Sequence, residues 1–425
     1  MNSSSTSNAS SEPLAPAGRS GRSLAVVFAS WASWPLQRLL QRVLRAIQWG
    51  SLTVELPNGE RAEGRGALPG PQASIVLHRW RPLARLLLEG DTGLAACYRD
   101  GDWSSPDLPA LLELGIRNES GWGHALDASW PVRWFGRLFH FAHRNSRRGS
   151  RENIAFHYDL GNAFYAQWLD PHLIYSSALH ATGGESLEEA QALKLQRIVE
   201  LLDLKAPMSV LEIGCGWGAL ALALAGAPGS RGTHVTGLTL SAEQLAHAQQ
   251  RVAGERLEAQ IELRLQDYRD VQGRYDRIVS IEMLEAVGER YWPTYFDTLR
   301  HRLKPGGLAV VQVITIADAH FEHYRTHTDF IQRFIFPGGM LPSPSAMKTL
   351  AERAGLTMET AVTFGESYAI TLVEWRRRFL LAWPAIEALG FDTAFRRLWE
   401  YYLCYCEAGF RAGRVDVGLY TLARD

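Results

Sequence analysis

Two stretches of this chain carry residue types at spacings that suit chemistry. The first is Val210-Leu211-Glu212-Ile213-Gly214-Cys215-Gly216-Trp217-Gly218, an apolar strand that runs through glycines into a helix of small and apolar residues. Glycines in such a turn let the backbone approach a ligand closely and bend sharply into the helix. Their spacing is G-x-G-x-G, whereas a dinucleotide site wants G-x-G-x-x-G and an acid at the end of the second strand. The second strand ends instead in Gly237-Leu238-Thr239-Leu240-Ser241-Ala242-Glu243-Gln244. Ser241 and Gln244 have the spacing of a helix capping box, so capping and contact with a ligand's ribose both stay open for them. The second stretch is Glu282-Met283-Leu284-Glu285-Ala286-Val287-Gly288. Here Glu285 follows an apolar strand and could hold a proton or act as a base, its alternative being a plain helix-start acid.

Positioning these groups requires a sheet. From about Leu193 the chain alternates helices with apolar strands near Ser209 to Ile213, His234 to Leu238, Ile261 to Leu265, Arg277 to Ile281 and Leu308 to Val313. That alternation predicts an α/β fold, a parallel sheet with helices on both faces and a ligand at the carboxyl ends of its strands. Upstream, Leu52 to Leu56, the turn Pro57-Asn58-Gly59, Ala73 to His78 and an apolar helix around Leu83 to Leu88 predict a smaller α+β domain. Residues 1–22 are low in complexity and read as a disordered leader.

Two segments lack acids. From Pro35 to Trp49, Leu39, Leu40, Val43, Leu44 and Ile47 fall at helical spacing beside Arg38, Arg42 and Arg45. Between Asp127 and Glu152, Trp130, Trp134, Phe135, Phe139 and Phe141 interleave with Arg133, Arg137, Arg144, Arg147, Arg148 and Arg151. Both patterns suit an anionic membrane surface, and both equally suit a helix packed on its own core or a solvated loop.

Composition narrows the field. With 44 basic and 45 acidic residues and a net charge of -1, the chain has no footprint of a nucleic-acid binder. Cys97, Cys215, Cys404 and Cys406 are too few for a disulfide scaffold, and no metal site is read from them. They suggest a reducing, cytoplasmic setting. The longest apolar candidate, Leu24 to Trp34, is shorter than the roughly 18–20 residues that span a bilayer.

The segments His157-Tyr158-Asp159-Leu160-Gly161-Asn162, Tyr175-Ser176-Ser177-Ala178, the glycine loop, Thr239-Leu240-Ser241, Phe336-Pro337-Gly338-Gly339, Leu341-Pro342-Ser343 and Thr371-Leu372 with Trp375 recur in order in one family. The chain resembles the cyclopropane-fatty-acid and mycolic-acid cyclopropane synthases from about Glu152 to its C-terminus, with a weaker echo at Gly93 to Trp103. The resemblance implies a Rossmann-like class I methyltransferase domain at 149–425, behind a lipid- or membrane-contacting domain at 23–148. It implies S-adenosylmethionine as cofactor and unsaturated phospholipid acyl chains at the inner membrane face as partner. A homodimer is implied by the same analogy.

In that family a bound bicarbonate takes the proton. Carried over by position, its ligands become Ser177, Glu285, Gln312 and Tyr368, with serine where the family has cysteine and glutamine where it has histidine. Both can still hydrogen-bond an anion. Cys406 occupies a position that the family marks as catalytic, although alkene methylation needs no thiolate, and it reads as structural. The implied cofactor positions are Tyr175, Ser176, Glu212, Gly214, Cys215, Gly216, Trp217, Gly218, Thr239, Leu240, Ser241, Gln244, Asp267 and Tyr268, with Asp267 where the class holds the adenine amino group. Tyr175, Trp217 and Tyr368 are candidates to wall a cation, or are ordinary core. The long segment Ile316 to Pro344 is expected to cover the substrate. Cyclopropane formation leads. A methyl-branched or methylene product, small-amine N-methylation and a silent lipid binder remain as alternatives.

Overall fold

A computed structural model describes residues 36–126, 160–205 and 207–425. The leader at 1–22, the run Leu24 to Trp34, the basic-aromatic stretch between Asp127 and Glu152 and the boundary at 148/149 all lie outside the described residues.

The described chain begins with a helix over 36–45. Leu39, Leu40, Val43 and Leu44, with Ile47 just past its end, are all buried, while Arg38, Arg42 and Arg45 are exposed. The apolar stripe therefore serves internal packing, and the arginines face outward together with Gln41. Next come β1 (Trp49–Glu55), β2 (Arg61–Arg65), β3 (Leu68–Leu77) and β4 (Trp103–Ser104), arranged β2-β1-β3-β4. The predicted turn joins β1 to β2, with Gly59 at φ +83° supplying the left-handed residue. Helices Arg81–Arg99 and Leu108–Arg117 complete the small α+β unit. Asn118, 1% exposed, ties it together. Its Oδ1 accepts from the backbone N–H groups of Gln48 and Trp49, and its Nδ2 donates to the carbonyls of Trp49 and Leu114.

The larger unit is a seven-stranded sheet flanked by helices. It holds β5 (Ser209–Ile213), β6 (His234–Thr239), β7 (Ile261–Leu265), β8 (Tyr275–Ile281), β9 (Leu303–Ile316), β10 (Thr357–Thr363) and β11 (Val415–Ala423), in the order β10-β11-β9-β8-β5-β6-β7. The five strands expected from sequence are the parallel ones, and each central strand is buried on both faces, as its apolar run requires. The sheet is not purely parallel. β11 pairs antiparallel with both β9 and β10; the largely polar β10 gave no clear apolar signal, while the alternation of Val415, Val417 and Leu419 in β11 was there to be read and was missed.

The two units share one core. Trp103 of the small unit meets Tyr401 on helix Thr393–Arg411 edge-on and Tyr98 meets it at a tilt, with ring centroids 6.3 and 5.6 Å apart. Tyr98 Oη donates to Glu400, and Arg333 donates to Thr92 Oγ1. The small unit is thereby docked on the helices that flank β11 and β9.

Candidate active site

The glycine turn sits at the carboxyl end of β5. Gly214, Gly216 and Gly218 take φ values of +85°, +51° and +85°, a sequence of left-handed residues that only glycine adopts without strain. The N–H groups of Gly214 and Cys215 donate to the Leu238 carbonyl at 3.0 and 2.8 Å, so the turn is pinned to the end of β6. Above Gly216 a Cβ would meet nothing within 4 Å, which leaves room for a ligand against the backbone. Gly218 is different. A Cβ there would lie 3.0 Å from that of Ala248, and the left-handed backbone alone costs a side chain about 1–2 kcal/mol. Gly218→Ala is therefore expected to weaken S-adenosylhomocysteine binding by about tenfold or more in a calorimetric titration. An unchanged affinity would remove the turn from the cofactor site.

Glu212, 3% exposed, is buried at the end of β5, and burial pushes its carboxyl up to about 8. Its Oε2 has no hydrogen-bond partner among the described residues. An orphaned acceptor beside an open glycine turn fits a ligand that brings its own donors, as the amino group or ribose of S-adenosylmethionine would. Ser241 is the N-cap of helix Ala242–Gly254, accepting from Gln244 N at 3.3 Å. The Gln244 side chain instead accepts from Thr239 Oγ1 at 3.0 Å, so only half of a capping box forms. Leu240 lies in the turn between the two, partly exposed. The Asp267 carboxylate, 2% exposed, is gripped by Arg269 through Nε at 2.8 Å and Nη2 at 2.6 Å. Tyr268 is core, its ring edge-on to Tyr295.

A second constellation lies beside β8 and β9, and its centre is not the residue that the family pattern selects. Glu282, the first residue after β8, has φ +48°, a conformation costing a non-glycine residue about 1–3 kcal/mol. Its Oε1 accepts from Ser177 N at 2.8 Å and Gln312 Nε2 at 2.7 Å, and its Oε2 accepts from Tyr368 Oη at 2.9 Å. These are three of the four positions carried over as bicarbonate ligands, and they close on a carboxylate of the chain itself. Ser177 contributes its backbone N–H, while its hydroxyl turns away to the Ala178 carbonyl. The residues present thus do not fit a bound bicarbonate.

Glu285, three residues on, faces elsewhere. Its Oε1 accepts from Ile314 N, its backbone carbonyl accepts from Met340 N at 2.8 Å, and its Oε2 is buried with no partner among the described residues. Burial, reinforced by the neighbouring Glu282 charge, pushes its carboxyl up to about 8. Glu282 is also raised by burial, but Ser177, Lys194, Tyr368 and Gln312 all oppose the shift. Both carboxyls are thus pushed up by burial, and only Glu282 has side-chain donors and a lysine that favour its charged form.

Lys194 completes the cluster. It is 1% exposed, donates to Ser176 Oγ at 2.7 Å, and is lowered by burial to about 8 against the pull of Glu282 and Asp170. Lys194 and Glu282 escaped sequence reading. A lysine within helix Leu187–Leu202 looks like any solvated helical lysine, and a backbone φ leaves no mark in composition.

The proposed aromatic walls are contiguous. Trp217 meets Tyr165 at 5.3 Å, Tyr165 meets Tyr175 at 5.2 Å, Tyr175 meets Trp375 at 5.3 Å, and Trp375 meets Tyr368 at 6.0 Å. Trp217 is fixed by its Nε1 donating to Asn162 Oδ1 at 2.7 Å, and Tyr175 Oη pairs with Tyr402 Oη at 2.9 Å. One chain of packed rings thus runs from the glycine turn to the Glu282 cluster. Cys406 lies on helix Thr393–Arg411, and burial pushes its thiol far up, which gives it no thiolate to use. The segment Ile316 to Pro344 folds into helices Asp318–Thr326 and Phe330–Phe334 and brings Phe336 to 6.3 Å from Tyr402. Among the described residues no helix is long and apolar enough to cross a membrane.

The model of the mycolic acid cyclopropane synthetase family matches residues 145–419. The chain is 37% identical over 377 residues to the tuberculostearic acid methyltransferase of Mycobacterium tuberculosis, a match covering 85% of each chain. It is 36% identical over 345 residues to the cyclopropane-fatty-acyl-phospholipid synthase of Escherichia coli strain K12, covering 80% of this chain and 85% of the other. Among solved structures, a mycolic acid cyclopropane synthase complexed with SAH and CTAB superimposes with a TM-score of 0.59 at 30% identity, covering 64% of this chain and 98% of that one.

Proposed function

The chain belongs to the mycolic acid cyclopropane synthetase family of S-adenosylmethionine-dependent methyltransferases, and from that premise we propose that it converts double bonds of unsaturated phospholipid acyl chains into cyclopropanes. The cofactor supplies an electrophilic methyl group on a sulfonium. The chain's own contribution is placement. The glycine turn and Glu212 hold the cofactor end, and a chain of packed rings, with Tyr165 and Trp375 fully buried and Tyr175 half-buried, connects it to the carboxylate cluster. Such a dry, aromatic region favours positive charge, a ring face contributing roughly 0.5–2 kcal/mol where a cation meets it. Holding the alkene in line supplies more, up to about 7–11 kcal/mol of the barrier in favourable cases.

The observation that carries this reading is the carboxylate cluster at the far end of those packed rings, because ring closure needs a base beside an electron-poor carbon. A second reading has a specific support. Serine and glutamine stand at 177 and 312, the anion position is already filled by a carboxylate of the chain, and the M. tuberculosis relative is named a methyltransferase rather than a cyclopropane synthase. The product would then be a methyl-branched or methylene chain. The phospholipid surface as the seat of the acceptor rests on the name of the E. coli relative and on the outward Arg38, Arg42 and Arg45.

Incubation with S-adenosylmethionine and vesicles of monounsaturated phospholipid, followed by chromatography and mass spectrometry of the fatty acids, tests both readings. A ring product is expected. A methylene or methyl-branched isomer would establish the second reading in its place, and no mass gain would overturn both.

A further inference from the structure

The strained, triply bonded position of Glu282 has a use in this reaction. We propose that Glu282 is the proton acceptor, a carboxylate built into the chain that does the work of a bound bicarbonate. The inference rests on the reading of the site as one that methylates an alkene.

Three observations carry it. First, Ser177 N, Gln312 Nε2 and Tyr368 Oη come from segments 105, 30 and 86 residues away, yet all converge on this one carboxylate. Oε1 receives two of them and Oε2 only one, which leaves Oε2 a lone pair for an incoming proton. Second, both glutamates are partly exposed as residues, but each oxygen of the Glu282 carboxylate has a donor, whereas Glu285 Oε2 is buried with no partner among the described residues. The donors that favour an ionised carboxylate converge on Glu282. Third, Glu282 holds a left-handed backbone at φ +48° while its side chain sits in the cluster, and its N–H is fixed by the Gln312 carbonyl at 2.8 Å. Strain of this kind persists where a site needs the geometry.

The step balances. The alkene's π pair forms the bond to the methyl carbon while the methyl–sulfur bond breaks with its pair left on sulfur, and the second alkene carbon becomes electron-poor. A C–H bond of the new methyl group then breaks. Its electron pair closes the ring, or forms a methylene double bond in the second reading, and its proton goes to Glu282 Oε2. Once product leaves, the proton passes to water.

Glu282→Gly is the informative variant, because glycine suits the left-handed backbone and its three donors are released toward an empty space. Binding of ¹³C-labelled bicarbonate, followed by ¹³C NMR line broadening, should be absent in the wild type and present in Glu282→Gly. In buffer stripped of carbon dioxide, the wild type should turn over monounsaturated phospholipid vesicles at its full rate. Glu282→Gly should be inactive there and gain at least about tenfold on adding bicarbonate, the lower end of a general base's contribution being about a hundredfold. Bicarbonate binding by the wild type, or loss of its turnover on stripping, overturns the proposal. Should the wild type methylate no lipid at all, the functional reading fails, and the NMR comparison still decides whether Glu282 fills the anion site. Should the glycine variant not fold, the two wild-type measurements decide alone.

Discussion

Glu282→Gln is expected to lower product formation by about 10²–10⁴-fold, the range for removing a general base, while leaving S-adenosylhomocysteine affinity within about twofold of wild type. Glutamine keeps the shape and can still accept from Ser177 N and Gln312 Nε2, and Tyr368 Oη can accept from its amide. What it lacks is a basic oxygen. The cofactor end lies at the glycine turn and Glu212, at the opposite end of the chain of packed rings, so binding there should not register the change. Single-turnover mass spectrometry with a parallel calorimetric titration checks both halves. Turnover within about tenfold of wild type would remove Glu282 from the chemistry and return attention to Glu285.

Stability is expected to fall as pH rises from about 5 to 8, and Glu285→Gln should flatten that fall. Glu212 and Glu285 are both held up to about 8 by burial, against an ordinary value near 4.5. A carboxyl raised in the folded state adds stability that is complete below the unfolded value and is lost as pH climbs through the folded one. Each such proton contributes a slope of up to about 1.4 kcal/mol per pH unit within that window. Lys194, lowered to about 8, acts in the opposite sense above pH 8, where the unfolded chain binds the extra proton. The descent should therefore end near pH 8. Urea unfolding of the apoprotein at pH 5, 6, 7 and 8 measures the slope, and an unchanged slope in Glu285→Gln would mean that Glu285 is ionised throughout.

The two carboxylates also show what can and cannot be read before a fold is known. Glu285 stands in register with the family's ligand, and position along the chain is what a pattern compares. Which side chain faces the cradle is decided by the fold, and there the donors close on Glu282 while Glu285 accepts from Ile314 N. Lys194 is a similar case. Within its helix it reads as a surface residue, and only the packing of that helix under Ser176 makes it a buried partner of Glu282.

Local physics is written in the sequence itself. Glycines at 214, 216 and 218 after an apolar strand could adopt a left-handed turn into a helix, and they do, because neighbours in the chain and the missing Cβ decide that geometry. The five parallel strands, the small unit's β1 to β2 turn and the buried stripe of the helix at 36–45 follow from periodicity and turn chemistry in the same way. Pairing of distant segments is another matter. The antiparallel strands β10 and β11, the docking of Tyr98 and Trp103 on Tyr401, and the convergence of Ser177, Gln312 and Tyr368 on Glu282 join residues tens to hundreds of positions apart. Such contacts form only when the whole core closes, since their loop entropy is offset by burial of many groups at once and by no local preference. The cofactor turn was therefore legible in one short stretch, whereas the identity of the carboxylate facing the substrate became definite only in three dimensions.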